Sequence, residues 1–387
     1  MKKRISYLLF ILTLFLGFNC YGVSEDFEII DVTSLYQEAI QTTSSKNTTL
    51  TVHSKYIVAY ERNSKTILYE KNKDIPTPMA STTKIMTAII VLENADLTQT
   101  ITVSTKAAGI GGSRLGLNSN SKITIKDLLY GLMLCSGNDA AIALAETVGG
   151  DLSGFADLMN SKAQELGLVN THFVTPHGLD NTNHYTTAYE LALLSDYALH
   201  NETFCNIVKT KTYTVNINGY PKTISNTNEL LGYLNGVYGV KTGFTNGANR
   251  CLVSATKRNN LDIICVVLGA DTKKIRTQDS IKLIEYCFST FETLDISSEI
   301  DKAFENWKNQ NVFYFNINKG VTSIPTLYLE KPENTFITIK KENIKKIDFI
   351  ANTDYFYEAP LPKNTSLRFH VCYSKQRMFN INENTKS

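Results

Sequence analysis

Ser81 and Lys84 stand three residues apart in the run Pro76-Thr-Pro-Met-Ala-Ser-Thr-Thr-Lys-Ile-Met-Thr-Ala-Ile-Ile-Val-Leu-Glu93. On a helix that spacing puts both side chains on one face, close enough to exchange a proton. Ser81 then lies at the helix opening, where unpaired backbone N–H groups and the dipole favour developing negative charge. A serine with a base one turn away is an activated nucleophile, suited to acyl transfer. A plainer reading also fits, with Ser81 as an N-cap and Lys84 as a solvated helix lysine. The four-residue pattern recurs at Ser119–Lys122 and Ser254–Lys257, so by itself it does not single out Ser81.

Two further short motifs follow, Ser136-Gly-Asn138 and Lys241-Thr-Gly243. The first falls between helical stretches at 125–134 and 138–148, where a hydroxyl and a carboxamide can both point into a cleft; a helix cap is the alternative. The second sits on a strand opening at Val237, with Gly243 where backbone must come close to a ligand; an ordinary strand lysine is the alternative. The elements that must carry these motifs are legible around them. Pro76 and Pro78 keep a helix from starting early, and Ile85, Met86, Ile89, Ile90 and Leu92 then recur near helical period. Tyr56–Tyr60 with Thr66–Tyr69 reads as a hairpin, and Cys251–Thr256 with Asp262–Leu268 as another. The nearly continuous apolar run 262–268 is expected to be central and covered on both faces. Further helices are expected at 152–166, 187–199 and 276–291.

With its three motifs on a helix, an inter-helix loop and a strand, the chain resembles the penicillin-recognising serine D,D-peptidases, specifically the low-molecular-mass D-alanyl-D-alanine carboxypeptidases of peptidase S11 type. Phe173-Val-Thr-Pro-His-Gly-Leu-Asp180, His184-Tyr-Thr-Thr-Ala-Tyr189, Asn226-Thr-Asn-Glu-Leu-Leu231 and Leu268-Gly269 followed by Arg276 are similar to that family too. The resemblance spans roughly residues 50 to 293. It implies that Ser81 forms an acyl-enzyme and that Lys84 takes its proton, burial and a nearby Lys241 favouring a neutral amine. By the same resemblance Ser136 passes a proton to the leaving D-alanine, and Asn138 holds the substrate amide and Lys84. Lys241 and Thr242 of Lys241-Thr-Gly243 would bind the terminal carboxylate. The backbone N–H groups of Ser81 and Phe244 would form the oxyanion hole. Thr245 and Arg276 are further carboxylate-binding candidates. Some relatives carry arginine where Thr227 stands here, so any contact of that side chain is missing or replaced.

The implied fold is α/β (α+β): a β-lactamase/transpeptidase-like domain with antiparallel sheet and helical subdomain over residues 51–293, then a small all-β C-terminal domain over 297–387. That tail shows strand candidates such as 312–317, 335–339 and 366–371, with no long helix expected. Residues 23–50 show no strong period and read as a leader or linker. The implied substrate is a peptidoglycan stem peptide ending in D-Ala-D-Ala, with β-lactams as covalent inhibitors. A β-lactamase would add a glutamate for deacylation on a loop between the second and third motifs. Glu165 and Glu190 lie instead on expected helices. A non-catalytic penicillin-binding protein is the other alternative, against which all three motifs are intact.

Composition narrows the setting. The chain has 387 residues, 43% hydrophobic and 20% charged, and a formal net charge of +2; it is globular, and nothing in the balance asks for nucleic acid. Lys2-Lys-Arg4 followed by the apolar run 5–18 reads as an export signal, cleaved near residue 22. As a helix that run reaches about 21 Å, short of a bilayer core. The protein is therefore expected in the cell envelope or wall space, with no stable membrane anchor, since the tail past Phe379 offers only Ile381 as an apolar residue. Cys20 lacks the residues that usually precede a lipidated cysteine. Seven scattered cysteines and six dispersed histidines show no metal spacing, so no metal and no cofactor is expected. Export would permit a disulfide if Cys251 and Cys265 faced one another on neighbouring strands, but scattered buried thiols are the expected state.

Overall fold

The computed structural model describes residues 30–43, 50–311, 329, 331–348, 372–373 and 376–377. The stretch read as an export signal, its expected cleavage position, Cys20, the strand candidates at 312–317 and 366–371 and the tail past 379 lie outside the described residues.

In chain order the elements begin with α1 (Val32–Thr43), β1 (Tyr56–Glu61) and β2 (Thr66–Lys71). A 3-10 turn at Ala80–Thr83 runs directly into α2 (Lys84–Asn94). The helical part continues through β3 (Thr100–Thr102), α3 (Thr105–Gly109), β4 (Lys122–Thr124), α4 (Ile125–Met133), α5 (Asn138–Gly149), α6 (Leu152–Glu165), α7 (Ala188–Ala198) and α8 (Glu202–Val208). A hairpin of β5 (Thr212–Ile217) and β6 (Tyr220–Ser225) precedes β7 (Val237–Thr245), β8 (Asn249–Arg258), β9 (Leu261–Ala270) and α9 (Lys273–Thr290). After it come β10 (Phe291–Asp295), α10 (Ser297–Asn311) and β11 (Phe336–Lys340).

The main sheet is antiparallel, in the order β2-β1-β9-β8-β7. Every residue of β9 is buried because the strand feeds a core on each face. Ile264, Val266 and Leu268 join the core under α2 and the helical part, whereas Ile263, Cys265 and Val267 join the one under α1 and α9. This is the period-2 alternation of a strand covered on both sides, as its apolar run implied. The same alternation separates Cys251 from Cys265. Cys251 lies in the first core and Cys265 in the second, Cys251 pairing in register with Gly243 and Cys265 with Ser254. They occupy opposite faces of the sheet, which rules out the facing arrangement and leaves both as buried thiols.

Two helices correct the sequence reading. α1 falls in the stretch read as leader; it buries Val32, Leu35 and Ala39 against α9. Its apolar stripe is too thin to hold a 12-residue helix alone, and packing supplies what propensity does not. α10 falls where no long helix was expected. Ile300, Phe304 and Trp307 recur there at helical spacing, Phe304 and Trp307 being buried and stacked at 6.5 Å between ring centroids. Beyond it, β11 pairs with β10, and Thr338 reaches back to Glu61 and Ser64 at the β1–β2 turn.

Candidate active site

Ser81 lies in the 3-10 turn rather than inside α2. Thr82 Oγ1 donates to Met79 O at 2.6 Å and Thr83 Oγ1 to Ala80 O at 2.8 Å, so the turn is tied by its own threonines. Ala80 sits at φ 47°, a left-handed conformation that favours glycine. The Lys84 N–H then closes the turn onto Ser81 O and Thr82 O.

Lys84 is fully buried. Its Nζ donates at 2.8 Å to each of Ser81 Oγ, Asn138 Oδ1 and His177 O. The Asn138 amide is oriented by the network: Oδ1 faces Lys84, and Nδ2 donates to Gly111 O at 2.8 Å. Asp139, also fully buried, accepts from the backbone N–H groups of Leu115, Gly116 and Leu117 and so pins the loop that supplies Gly111. Ser136, in the tight connection between α4 and α5, has φ 60°, and its buried Oγ has no hydrogen-bond partner among the described residues. A strained non-glycine residue with an unsatisfied buried hydroxyl is what a site awaiting a ligand presents.

β7 is an edge strand and flanks the nucleophile turn. A Cβ placed on Gly243 would lie 3.1 Å from Ser81 N and 3.2 Å from Thr82 N, so glycine is what lets the strand come this close. Lys241 and Thr242 on the same strand are buried. Burial pushes the Cys135 thiol up to about 11 with the help of Asp139, and Lys241 pulls the other way, which puts its charge beside the second motif. Thr242 Oγ1 lies 2.6 Å from Thr227 Oγ1. Thr227, where the resemblance implied a missing or replaced contact, thus offers a hydroxyl to the third motif.

The two further carboxylate candidates have partners in the protein. Thr245 Oγ1 donates to Asp180 Oδ1 at 2.5 Å and accepts from Ala248 N at 3.0 Å. Arg276 is fully buried and its Nη2 donates to Glu229, which also accepts from Thr277. Burial alone would raise the Glu229 carboxyl; Arg276 and Thr277 outweigh it and hold it below its usual range. Glu190 accepts from Asn170 N and Thr171 Oγ1, and Glu165 pairs with Lys162. Spacing had no means of finding the His177 contribution, because the group that meets Lys84 is a backbone carbonyl.

A family model described as D-alanyl-D-alanine carboxypeptidase matches residues 40–272. The D-alanyl-D-alanine carboxypeptidase DacF of Bacillus subtilis is 35% identical over 327 residues, 81% of this chain and 80% of that protein. The chain belongs to this family. It is a serine-type D-alanyl-D-alanine carboxypeptidase with the penicillin-binding fold. Among solved structures, the Streptomyces K15 DD-transpeptidase is 36% identical, with a TM-score of 0.59 over 62% of this carboxypeptidase and 99% of that chain. DacD of Francisella tularensis, at 24% identity, shares the fold over 87% of this chain with a TM-score of 0.69.

Two histidines of this carboxypeptidase are held neutral at the site's back wall. Burial, then the charge of Lys84, lowers His177 to about 3; burial, then His172, lowers His184 to about 4. Unfolded, each titrates near 6.5. Folding therefore excludes protons that the unfolded chain takes up below 6.5. The two histidines favour the fold fully above that value and progressively less as pH falls toward 4. Each is expected to cost about 1.4 kcal/mol per pH unit across that window. Urea midpoints should be flat in these two groups from pH 8 to 7 and fall from pH 6 to 4.5; a midpoint unchanged down to pH 4.5 would contradict their neutral burial.

Proposed function

We propose that this carboxypeptidase works through an acyl-serine on Ser81, removes the terminal D-alanine of peptidoglycan stem peptides, and is acylated covalently by penicillins at the same atom. The observation that carries this is the environment of Lys84 Nζ. Two of its partners, Asn138 Oδ1 and His177 O, are acceptors only. For the reaction the ammonium gives up one proton: two hydrogens stay on those acceptors and the lone pair turns to the Ser81 hydroxyl, the reverse of the resting bond in which Nζ donates to Ser81 Oγ.

Ser81 Oγ then attacks the carbonyl carbon of the penultimate D-alanine while its proton passes to Lys84 Nζ. The oxyanion is held by the Ser81 and Phe244 N–H groups at the edge of β7. Ser136 Oγ, in need of a partner, relays the proton to the leaving amine of the terminal D-alanine. Lys241 and Thr242 bind that residue's carboxylate, Thr245 ties the end of β7 to Asp180, and Arg276 pairs with Glu229. Water, deprotonated by Lys84, attacks the ester carbonyl and returns Ser81 Oγ with its proton. The substrate class puts the enzyme outside the cytoplasm, in keeping with the basic and apolar N-terminus. Among the described residues no helix is long and apolar enough to cross a membrane.

Penicillin treatment followed by peptide mapping tests the mechanism. The expected adduct falls on the peptide carrying Ser81, and the unmodified enzyme is expected to release D-alanine from a D-Ala-D-Ala peptide. An adduct on another serine, such as Ser254, would overturn the assignment.

A further inference from the structure

We propose that His184 is a positioning residue for acylation: through Thr83 it fixes the Ala80 carbonyl, and with it the Ser81 N–H that faces the developing oxyanion. This rests on the reading of Ser81 as nucleophile.

The direction of each hydrogen bond follows from the donors available. Val174 N–H donates to His184 Nδ1 at 2.9 Å, so in the neutral ring the proton is on Nε2. Nε2 lies 2.7 Å from Thr83 Oγ1 and donates to it. The Thr83 hydroxyl proton is then directed to Ala80 O, 2.8 Å away. The chain runs one way, from a loop amide through the imidazole and the hydroxyl to one carbonyl.

That carbonyl shares a planar peptide with the Ser81 N–H, on the opposite side of the C–N bond. Fixing the oxygen therefore sets where the N–H points. Ala80 needs such support, since its φ of 47° is a left-handed conformation that a residue with a Cβ disfavours. Gly178 closes the other side: a Cβ there would lie 1.9 Å from Ala80 O. His184 is itself buried and packs edge-on against Phe173 at 5.8 Å between ring centroids. No substrate atom needs to touch it; its action is on the turn.

The test compares wild type with His184→Ala, His184→Gln, Thr83→Val, Thr83→Ser and Ser81→Ala, reading penicillin acylation by stopped flow on folded protein. His184→Ala and Thr83→Val should lower the acylation rate constant about 10²-fold, the scale of a misdirected oxyanion donor. The dissociation constant of the preceding non-covalent complex should stay within about threefold, because catalysis is lost where transition-state contacts alone weaken. Glutamine offers an acceptor and a donor in sequence, and serine keeps the hydroxyl, so these two variants should recover most of the rate. If His184→Ala does not fold, the near-isosteric Thr83→Val carries the same comparison. Wild-type acylation per folded molecule in Thr83→Val, with only a lower Tm, would reduce His184 to a structural group and overturn the proposal. That result, alongside an unlabelled Ser81→Ala, would leave Ser81 as nucleophile. A labelled Ser81→Ala would overturn the nucleophile reading, and this proposal with it.

Discussion

Replacing Lys84 by methionine is expected to slow both D-alanine release and penicillin acylation about 10³-fold or more, on a fold that circular dichroism finds intact. General-base assistance is worth about 10²–10⁴-fold, and here the base lies 2.8 Å from the hydroxyl it must deprotonate. Methionine matches the lysine stem as far as Cε and fills most of the buried site, but it brings no lone pair of comparable basicity and no donor. Arginine separates the two ways in which Lys84 could matter. It keeps a positive charge and several donors for Asn138 Oδ1 and His177 O, yet its guanidinium stays protonated in proteins and cannot accept the Ser81 proton. Lys84→Arg should therefore be as impaired as Lys84→Met. An arginine variant within tenfold of wild type would show that Lys84 orients Ser81 without acting as its base.

The second large effect is expected at Gly178, where substitution by alanine should lower stability by more than about 2 kcal/mol and depress activity in whatever remains folded. Gly178 has φ +86°, which costs an L-residue about 1–2 kcal/mol. The added methyl would also stand 1.9 Å from Ala80 O and 2.6 Å from Thr83 Oγ1, closer than any real contact, so either loop 176–180 or the nucleophile turn must move. Both carry groups that meet at Lys84, which is why the loss of stability is expected to reach the chemistry. Gly109→Ala is the control, an exposed position with nothing within 4 Å of the new Cβ, expected within about 0.5 kcal/mol of wild type. Equal urea midpoints for the two variants would contradict the close packing of Gly178 on the turn.

What was legible in the sequence was whatever depends on residues close together in the chain. The spacing of Ser81 and Lys84 sets both side chains on one turn whatever the rest of the molecule does. The nearly continuous apolar run 262–268 announced a strand covered on both faces, and β9 has a core on each. The hairpin before α2 and the helices around Ser136 follow from local period and breakers, and they lie where expected. α1 was missed because a short helix with few apolar residues is held by its neighbour α9, whereas α10 was missed although Ile300, Phe304 and Trp307 carry its period.

The tertiary structure decided what depends on long-range approach. Asn138 comes from 54 residues away to accept from Lys84, and the His177 carbonyl from 93. Neither meeting leaves a local pattern, since a backbone carbonyl has no side chain to mark it. Sheet faces likewise separated Cys251 from Cys265, for which adjacency of strands had left a facing arrangement open. The same holds for Arg276 and Thr245: their types suit a carboxylate, but side chains distant in the chain, Glu229 and Asp180, reach them in the fold. Residue type and spacing thus determined which chemistry the three motifs can perform. Long-range packing decided which polar groups face the cleft and which are satisfied within the protein, because burial and hydrogen-bond satisfaction are properties of the assembled interior and not of any one segment.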